Sequence, residues 1–162
     1  KQYAYKLYRG AEVINTPAWV DQPTFTYTLT DGGSYALNVS VKDNGRVLSK
    51  TSAVTKAFTP VSIASVTASH TVAGVNTELT WNVVTEGGSG NARFSYKLYR
   101  GSAVVSASDN ASSATFVYTP TEAGVYALSV TVREDNVTVK KTSSSTNVIG
   151  IVLSINTVGI GD

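Results

Sequence analysis

Residues 121–132 read TEAGVYALSVTV, and residues 30–41 read TDGGSYALNVSV. In the later stretch Tyr126, Leu128, Val130 and Val132 stand at every second place, with Ala127, Ser129 and Thr131 between them. The earlier stretch sets Tyr35, Leu37, Val39 and Val41 in the same pattern. A period of two over this length is a strand with one apolar and one wet face. Gly33 and Gly124, two places ahead of each Tyr, permit the turn that leads into it.

The two stretches lie 91 residues apart, and the same offset relates Tyr5 to Tyr96, Phe25 to Phe116 and Tyr27 to Tyr118. It also superposes YAYKLYRG (3–10) on FSYKLYRG (94–101). A constant offset without a gap is one module in tandem, and a missed repeat would give the wrong fold. In the second copy, alternation predicts strands near 62–69, 77–85, 92–100, 103–107, 115–119, 125–133 and 137–143. Turn signals such as EGGSGN, DNASSA and TEAG separate them. Phe94, Tyr96 and Leu98 point inward, and Ser95, Lys97 and Tyr99 outward. Seven short strands with no helical period predict an all-β fold of antiparallel β-sandwiches in tandem. The first copy is expected to repeat the later strands, with KDNG (42–45) as a hairpin turn where the second has REDN.

The motif acid-x-Gly-x-Tyr-x-Leu, formed by Asp31, Gly33, Tyr35 and Leu37 and again by Glu122, Gly124, Tyr126 and Leu128, resembles the tyrosine corner of immunoglobulin-like domains. In that corner the Tyr hydroxyl satisfies a backbone group. The resemblance implies that Leu128 replaces one half of the inter-sheet disulfide and that Trp81, in ELTWNV, replaces the other. FVYTPTEAGVYALSVTV (116–132) is similar to immunoglobulin-like and polycystic-kidney-disease-like repeats of large bacterial surface and secreted proteins. Tyr96, Tyr99, Tyr118 and Tyr126 are similar to the triple-tyrosine version of those repeats, while YKLYRG departs from the polycystic-kidney-disease hallmark. The resemblance implies a non-catalytic stalk, spacer or adhesive module, extracellular or at the cell surface. Its partners would be neighbouring repeats of the same or another chain.

Composition agrees with that class. The chain has 162 residues, no Cys, no Met, one His and a formal net charge of +2. So weak a charge implies no nucleic-acid partner, and no apolar run is long enough to insert in a membrane. Without Cys there are neither disulfides nor a thiol nucleophile. His70 is a lone turn histidine, and Asp31, Asp43, Glu122, Glu134 and Asp135 fall at turns, so nothing proposes a catalytic site, a metal site or a cofactor. Asp43-Asn44 and Glu134-Asp135-Asn136 offer two or three oxygen donors at equivalent hairpins, where calcium takes six to eight. The triplets at Asn38, Asn110 and Asn136 match the glycosylation pattern by chance.

Carbohydrate binding is the rival function. Trp19, in NTPAWVDQP, has Asn110 at the repeat offset, so the module does not require it. With Tyr8 and Tyr99 it makes up the candidate ligand-binding set, while Trp81, Tyr35, Tyr126, Leu37, Leu128, Gly33 and Gly124 are the structural set. The domain reading places an immunoglobulin-like repeat without its first two strands at 1–58 and a complete repeat at 59–150. Residues 151–162 read as the start of a third repeat or a donated strand. KAFTPVSIAS joins the copies without a Gly run, which predicts a stiff junction between nearly collinear modules. The first copy lacks counterparts of the strands near 62–69 and 77–85, which leaves its core face to be covered by preceding sequence or by another chain.

Overall fold

The computed structural model describes residues 1–150. The third-repeat or donated-strand reading of 151–162 lies outside the described residues. The chain divides into two compact units between Thr59 and Pro60. All regular structure among the described residues is β.

Unit 1 is a single sheet. Its strands are β1 (Gln2–Arg9), β2 (Glu12–Val13), β3 (Gly33–Asp43), β4 (Arg46–Thr51) and β5 (Thr55–Ala57), in the order β2-β1-β3-β4, with β5 also on β3. Alternation sets the register, because the apolar residues must share a face. Tyr3 lies opposite Val41, Tyr5 opposite Val39 and Leu7 opposite Leu37. The β3–β4 turn needs left-handed residues at both central places, and Asn44 (φ 47°) and Gly45 (φ 80°) supply them.

Unit 2 has two sheets, formed from β6 (Ser62–Ala68), β7 (Val72–Gly74), β8 (Leu79–Glu86), β9 (Arg93–Arg100), β10 (Ala103–Ala111), β11 (Thr115–Tyr118), β12 (Gly124–Glu134), β13 (Val137–Thr142) and β14 (Thr146–Ile149). One sheet runs β10-β9-β12-β14-β7, with β13 also on β12, and the other runs β11-β8-β6. Between them lies one core in which Leu79, Trp81, Leu98, Leu128, Val130 and Val132 are fully buried. Burying a Trp removes well over ~150 Å² from water, worth several kcal/mol at about 25 cal/mol per Å² before entropy. Trp81 packs its ring against Phe116 at 6.1 Å, and its Nε1 has no hydrogen-bond partner.

Four expectations need correction. Unit 2 has two further strands: β7 runs parallel to β14, with Ala73 opposite Val148, and three- and four-residue strands are too short to show a period. β10 continues to Ala111 through two register shifts, which break the alternation. In unit 1 the segment around Phe25 and Tyr27, equivalent to β11, forms no strand. In unit 2 that strand exists by pairing with β8, Phe116 opposite Trp81, and unit 1 has no equivalent of β8 to bond with. The wet face of β12 is also drier than its alternation implies. Ser129 is buried, because β12 runs between β9 on one side and β13 and β14 on the other.

Candidate functional site

The chemistry-bearing side chains that recur in both units gather at the corner ahead of β3 and β12. The Tyr35 hydroxyl donates to the Asp31 carbonyl at 2.7 Å, and the Tyr126 hydroxyl donates to the Glu122 carbonyl at 2.8 Å. These carbonyls precede the strand and have no ladder partner, so the phenol supplies the bond that the backbone omits. Arg9, at the end of β1, pairs with Asp31 at 2.9 Å, and Arg100, at the end of β9, pairs with Glu122. Gly124 (φ 153°) lies under the Arg100 side chain, where a Cβ would meet Arg100 Cγ at 2.9 Å. Gly33 (φ 159°) stands in the same relation to Arg9. The Arg of YKLYRG is therefore one part of the corner, paired with the acid and packed over the Gly. A repeat-conserved Arg with a repeat-conserved acid was the available sequence signal. Bonding to Glu12 and Asp31 raises the pKa of Arg9, and bonding to Glu122 raises that of Arg100.

Other repeated polar groups are committed in the same way. Tyr5 donates to the Gln22 carbonyl at 2.8 Å, and Tyr96 to the Ser113 carbonyl at 2.5 Å. Burial pushes the Tyr96 hydroxyl up to about 12 and raises that of Tyr5. Ser52, between β4 and β5, and Ser143, between β13 and β14, accept through their hydroxyls from the Leu37 and Leu128 N–H groups at 3.0 Å.

Glu134 turns inward. One carboxylate oxygen accepts from the Ser89 hydroxyl, the Ser89 N–H and the Asn91 N–H at 2.6–2.9 Å, which holds the 87–91 loop. The Ser89 hydroxyl first, then the Asn91 N–H, hold this carboxylate below its ordinary range. It is thus withdrawn from the hairpin donor set, and Asp43 sits 3.9 Å from Lys1 Nζ. His70 is exposed, with Nδ1 2.9 Å from the Ser69 hydroxyl. Among the described residues no three His, Cys, Asp or Glu side chains gather as metal ligands.

Of the ligand-binding candidates, Trp19 is 42% exposed and has Lys42 Nζ 5.9 Å from its ring. Tyr8 and Tyr99 are half-buried on their sheets, Tyr8 opposite Ala36 and Tyr99 opposite Ala127. Within unit 1, Trp19 and Tyr8 do not form one site. Trp19 adjoins Val20, which bridges to Tyr3, and Tyr8 is five residues further along β1, about 16 Å at about 3.3 Å per residue. A groove of about 430 Å³ is lined by Tyr5, Asn15, Ala18, Val20, Gln22 and Phe25, among others. Beside it Tyr3, Tyr5, Phe25 and Tyr27 form a ladder of near-parallel rings, with centroids 5.1–6.4 Å apart.

No family model matches the chain, and no curated protein does. Solved structures do. The chain is similar to the FN1–FN3 domains of chicken CNTN1 at a TM-score of 0.50 and 11% identity, covering 92% of this chain and 57% of that one. It is also similar to the amphioxus IgVJ-C2 molecule, at a TM-score of 0.48 and 14% identity over 90% of this chain and 88% of that one. Murine CEACAM1b gives a TM-score of 0.40 and 16% identity over 91% and 85%. With the sheets described above, the fold is that of tandem immunoglobulin-like β-domains. Unit 2 carries both sheets and unit 1 repeats the larger one.

Proposed function

We propose that the chain is a non-catalytic structural or adhesive repeat segment, a stalk or spacer of an extracellular or cell-surface protein. One observation carries the reading. At both corners the side chains able to do chemistry are bonded into the framework, Arg to acid and phenol to carbonyl, at the same offset in both units. A spacer needs such self-satisfied corners, because every unpaired polar group weakens the module it belongs to. The fold itself hosts many functions, so the reading rests on these bonds rather than on the likeness. A surface or secreted bacterial setting follows from the repeat resemblance.

The second reading, a carbohydrate-binding module, is favoured by Trp19, whose ring is exposed and whose neighbours Ala18 and Val20 line an open groove. Tyr8 and Tyr99 would be accessory contacts. Titrating cell-wall and host glycans against the full chain and its Trp19→Ala variant, with intrinsic fluorescence as readout, separates the two. The spacer reading expects no saturable change in either protein. Saturable binding lost in Trp19→Ala would replace it with the lectin reading.

A further inference from the structure

The inner face of unit 1 is built as a core and, among the described residues, left open. Tyr3, Tyr5, Leu7, Leu37, Val39 and Val41 stand on the face that Phe94, Tyr96, Leu98, Leu128, Val130 and Val132 present in unit 2, in the same register. The unit 2 residues are all buried. In unit 1 only Tyr5 and Leu7 of this set are buried, and Leu48, opposite Val41, is 71% exposed. The aromatic ladder repeats too. Phe94 stacks on Tyr96 at 6.1 Å and Tyr96 meets Phe116 at 5.3 Å, as Tyr3, Tyr5 and Phe25 do in unit 1. In unit 2 the far side of Phe116 is closed by Trp81. The ladder in unit 1 thus repeats the core ladder of unit 2 without the Trp81 ring that packs on Phe116 there.

The charge on this face also has a defined complement. Lys141, opposite Val130, extends its ammonium to the carbonyls of Ala64 at 2.5 Å and Ile63 at 3.4 Å, where β6 shifts register. Lys50 holds the same place opposite Val39, and its side chain has no partner among the described residues. A lysine on an apolar face calls for acceptors presented by whatever covers that face.

We propose that the inner face of unit 1 takes an antiparallel β pair built like β6 and β8 of Ser62–Glu86, delivered in the same polypeptide ahead of Lys1. This pair would carry a large aromatic at the Trp81 place against Phe25, and free backbone carbonyls at the Ile63–Ala64 place for Lys50. Its second strand would give Phe25 the ladder partner that Phe116 has in Trp81, and so convert 24–27 into a strand. Delivery in the same chain follows from unit 2, where β8 reaches β9 through a short loop anchored by Glu134. The proposal deepens the repeat-segment reading, since it makes a neighbouring stretch of repeat the partner of this site.

The test adds a copy of Pro60–Asn91 directly ahead of Lys1 of the full chain, which reproduces the spacing of unit 2, and follows amide hydrogen exchange. The expected result is at least about tenfold slower exchange at Phe25 and Tyr27, which gain a ladder partner, and across Leu37–Val41, whose ladder between β1 and β4 gains a covered face. The gain should shrink when the added copy carries Trp81→Asp, and when Lys50 is changed to Gln. Unchanged exchange with the added copy would overturn the proposal. So would a dimer of the unextended chain in which Phe25 and Tyr27 are already protected, since a second copy would then be the occupant. Protection by added glycans and not by the extension would overturn it as well. Exchange at Leu79–Glu86, untouched by the extension, separately reports whether unit 2 stands as a module on its own, so the spacer reading and this inference fail independently.

Discussion

Leu37 and Leu128 occupy one place in the repeat, each two residues after a corner Tyr, each opposite a Leu on the neighbouring strand. Leu128 has no exposed surface, whereas Leu37 is half-buried. The same divergence separates Phe116, paired in a strand, from Phe25, held in a segment without one. Identical local patterns therefore produce identical strands in β3 and β12, while burial is decided by what packs across the face. Local sequence accounts for the strand, and the second sheet accounts for the core.

The largest effect that could break this comparison comes from Trp81. Truncating it to Ala should cost unit 2 about 3–5 kcal/mol, the range for a large core aromatic replaced by a cavity. Unit 1, with no side chain at that place, should be unaffected. Chemical denaturation followed by far-UV circular dichroism, with exchange protection of β1 and β3 measured separately, reads the two units apart. Loss of protection in β1 and β3 would mean that unit 1 draws its order from the unit 2 core.

Next comes the matched pair of leucines. Leu128→Ala should destabilise unit 2 by about 2–5 kcal/mol, and Leu37→Ala should cost unit 1 less than about 1 kcal/mol, because a half-exposed Leu has less surface to return to water and leaves no closed cavity. Equal losses would show that the face of unit 1 is already covered. In the chain carrying the added copy of Pro60–Asn91, the cost of Leu37→Ala should climb toward that of Leu128→Ala.

The corners should behave alike, which sharpens the comparison from the other side. Tyr35→Phe and Tyr126→Phe each leave one carbonyl unpaired at the entry to the long strand, and each should cost about 1–2 kcal/mol. The corner bonds are local, with donor and acceptor four residues apart, and need no second sheet. A cost in unit 2 alone would tie the corner to the core and remove it as a shared device.

What the sequence made legible follows the same division. The corner, the register of β1 on β3, the hairpin at Asn44-Gly45 and the inward face of FSYKLYRG are short-range features, and alternation and turn chemistry carry them. The Arg100–Glu122 pair was visible only as two residues that recur together, because a 22-residue separation has no period of its own. β7 and β14 escaped because a parallel pair joins segments more than seventy residues apart. The loss of a strand at Phe25–Tyr27 escaped because its sequence is a good strand, and only the missing partner forbids it. Trp19 shows the opposite case: its departure from the repeat was plain, and its exposure is what a residue outside the shared framework should show.

The smallest effect is a change of slope with pH, and it concerns Glu134, a residue whose counterpart Asp43 is exposed at the turn of unit 1. Three donors on one oxygen favour the carboxylate, so its folded pKa lies below the ordinary value of about 4.3. For a carboxyl whose pKa is depressed on folding, the unfolded chain binds the proton more readily. The stabilisation is then complete above the unfolded pKa and is lost as pH falls through the folded one. The urea midpoint of unit 2 should therefore fall between about pH 5 and the lowered value, more steeply in the parent than in Glu134→Gln. At neutral pH the Gln variant should already be weaker, since an amide accepts less strongly from the Ser89 hydroxyl and the Asn91 N–H. Asp109, held low chiefly by the Ser95 hydroxyl, titrates in both proteins and cancels in the difference. Parallel acid profiles for parent and variant would mean that the 87–91 loop is held by something other than this carboxylate. The loop that joins the smaller sheet to β9 would then owe nothing to the one buried acid in the chain's described core.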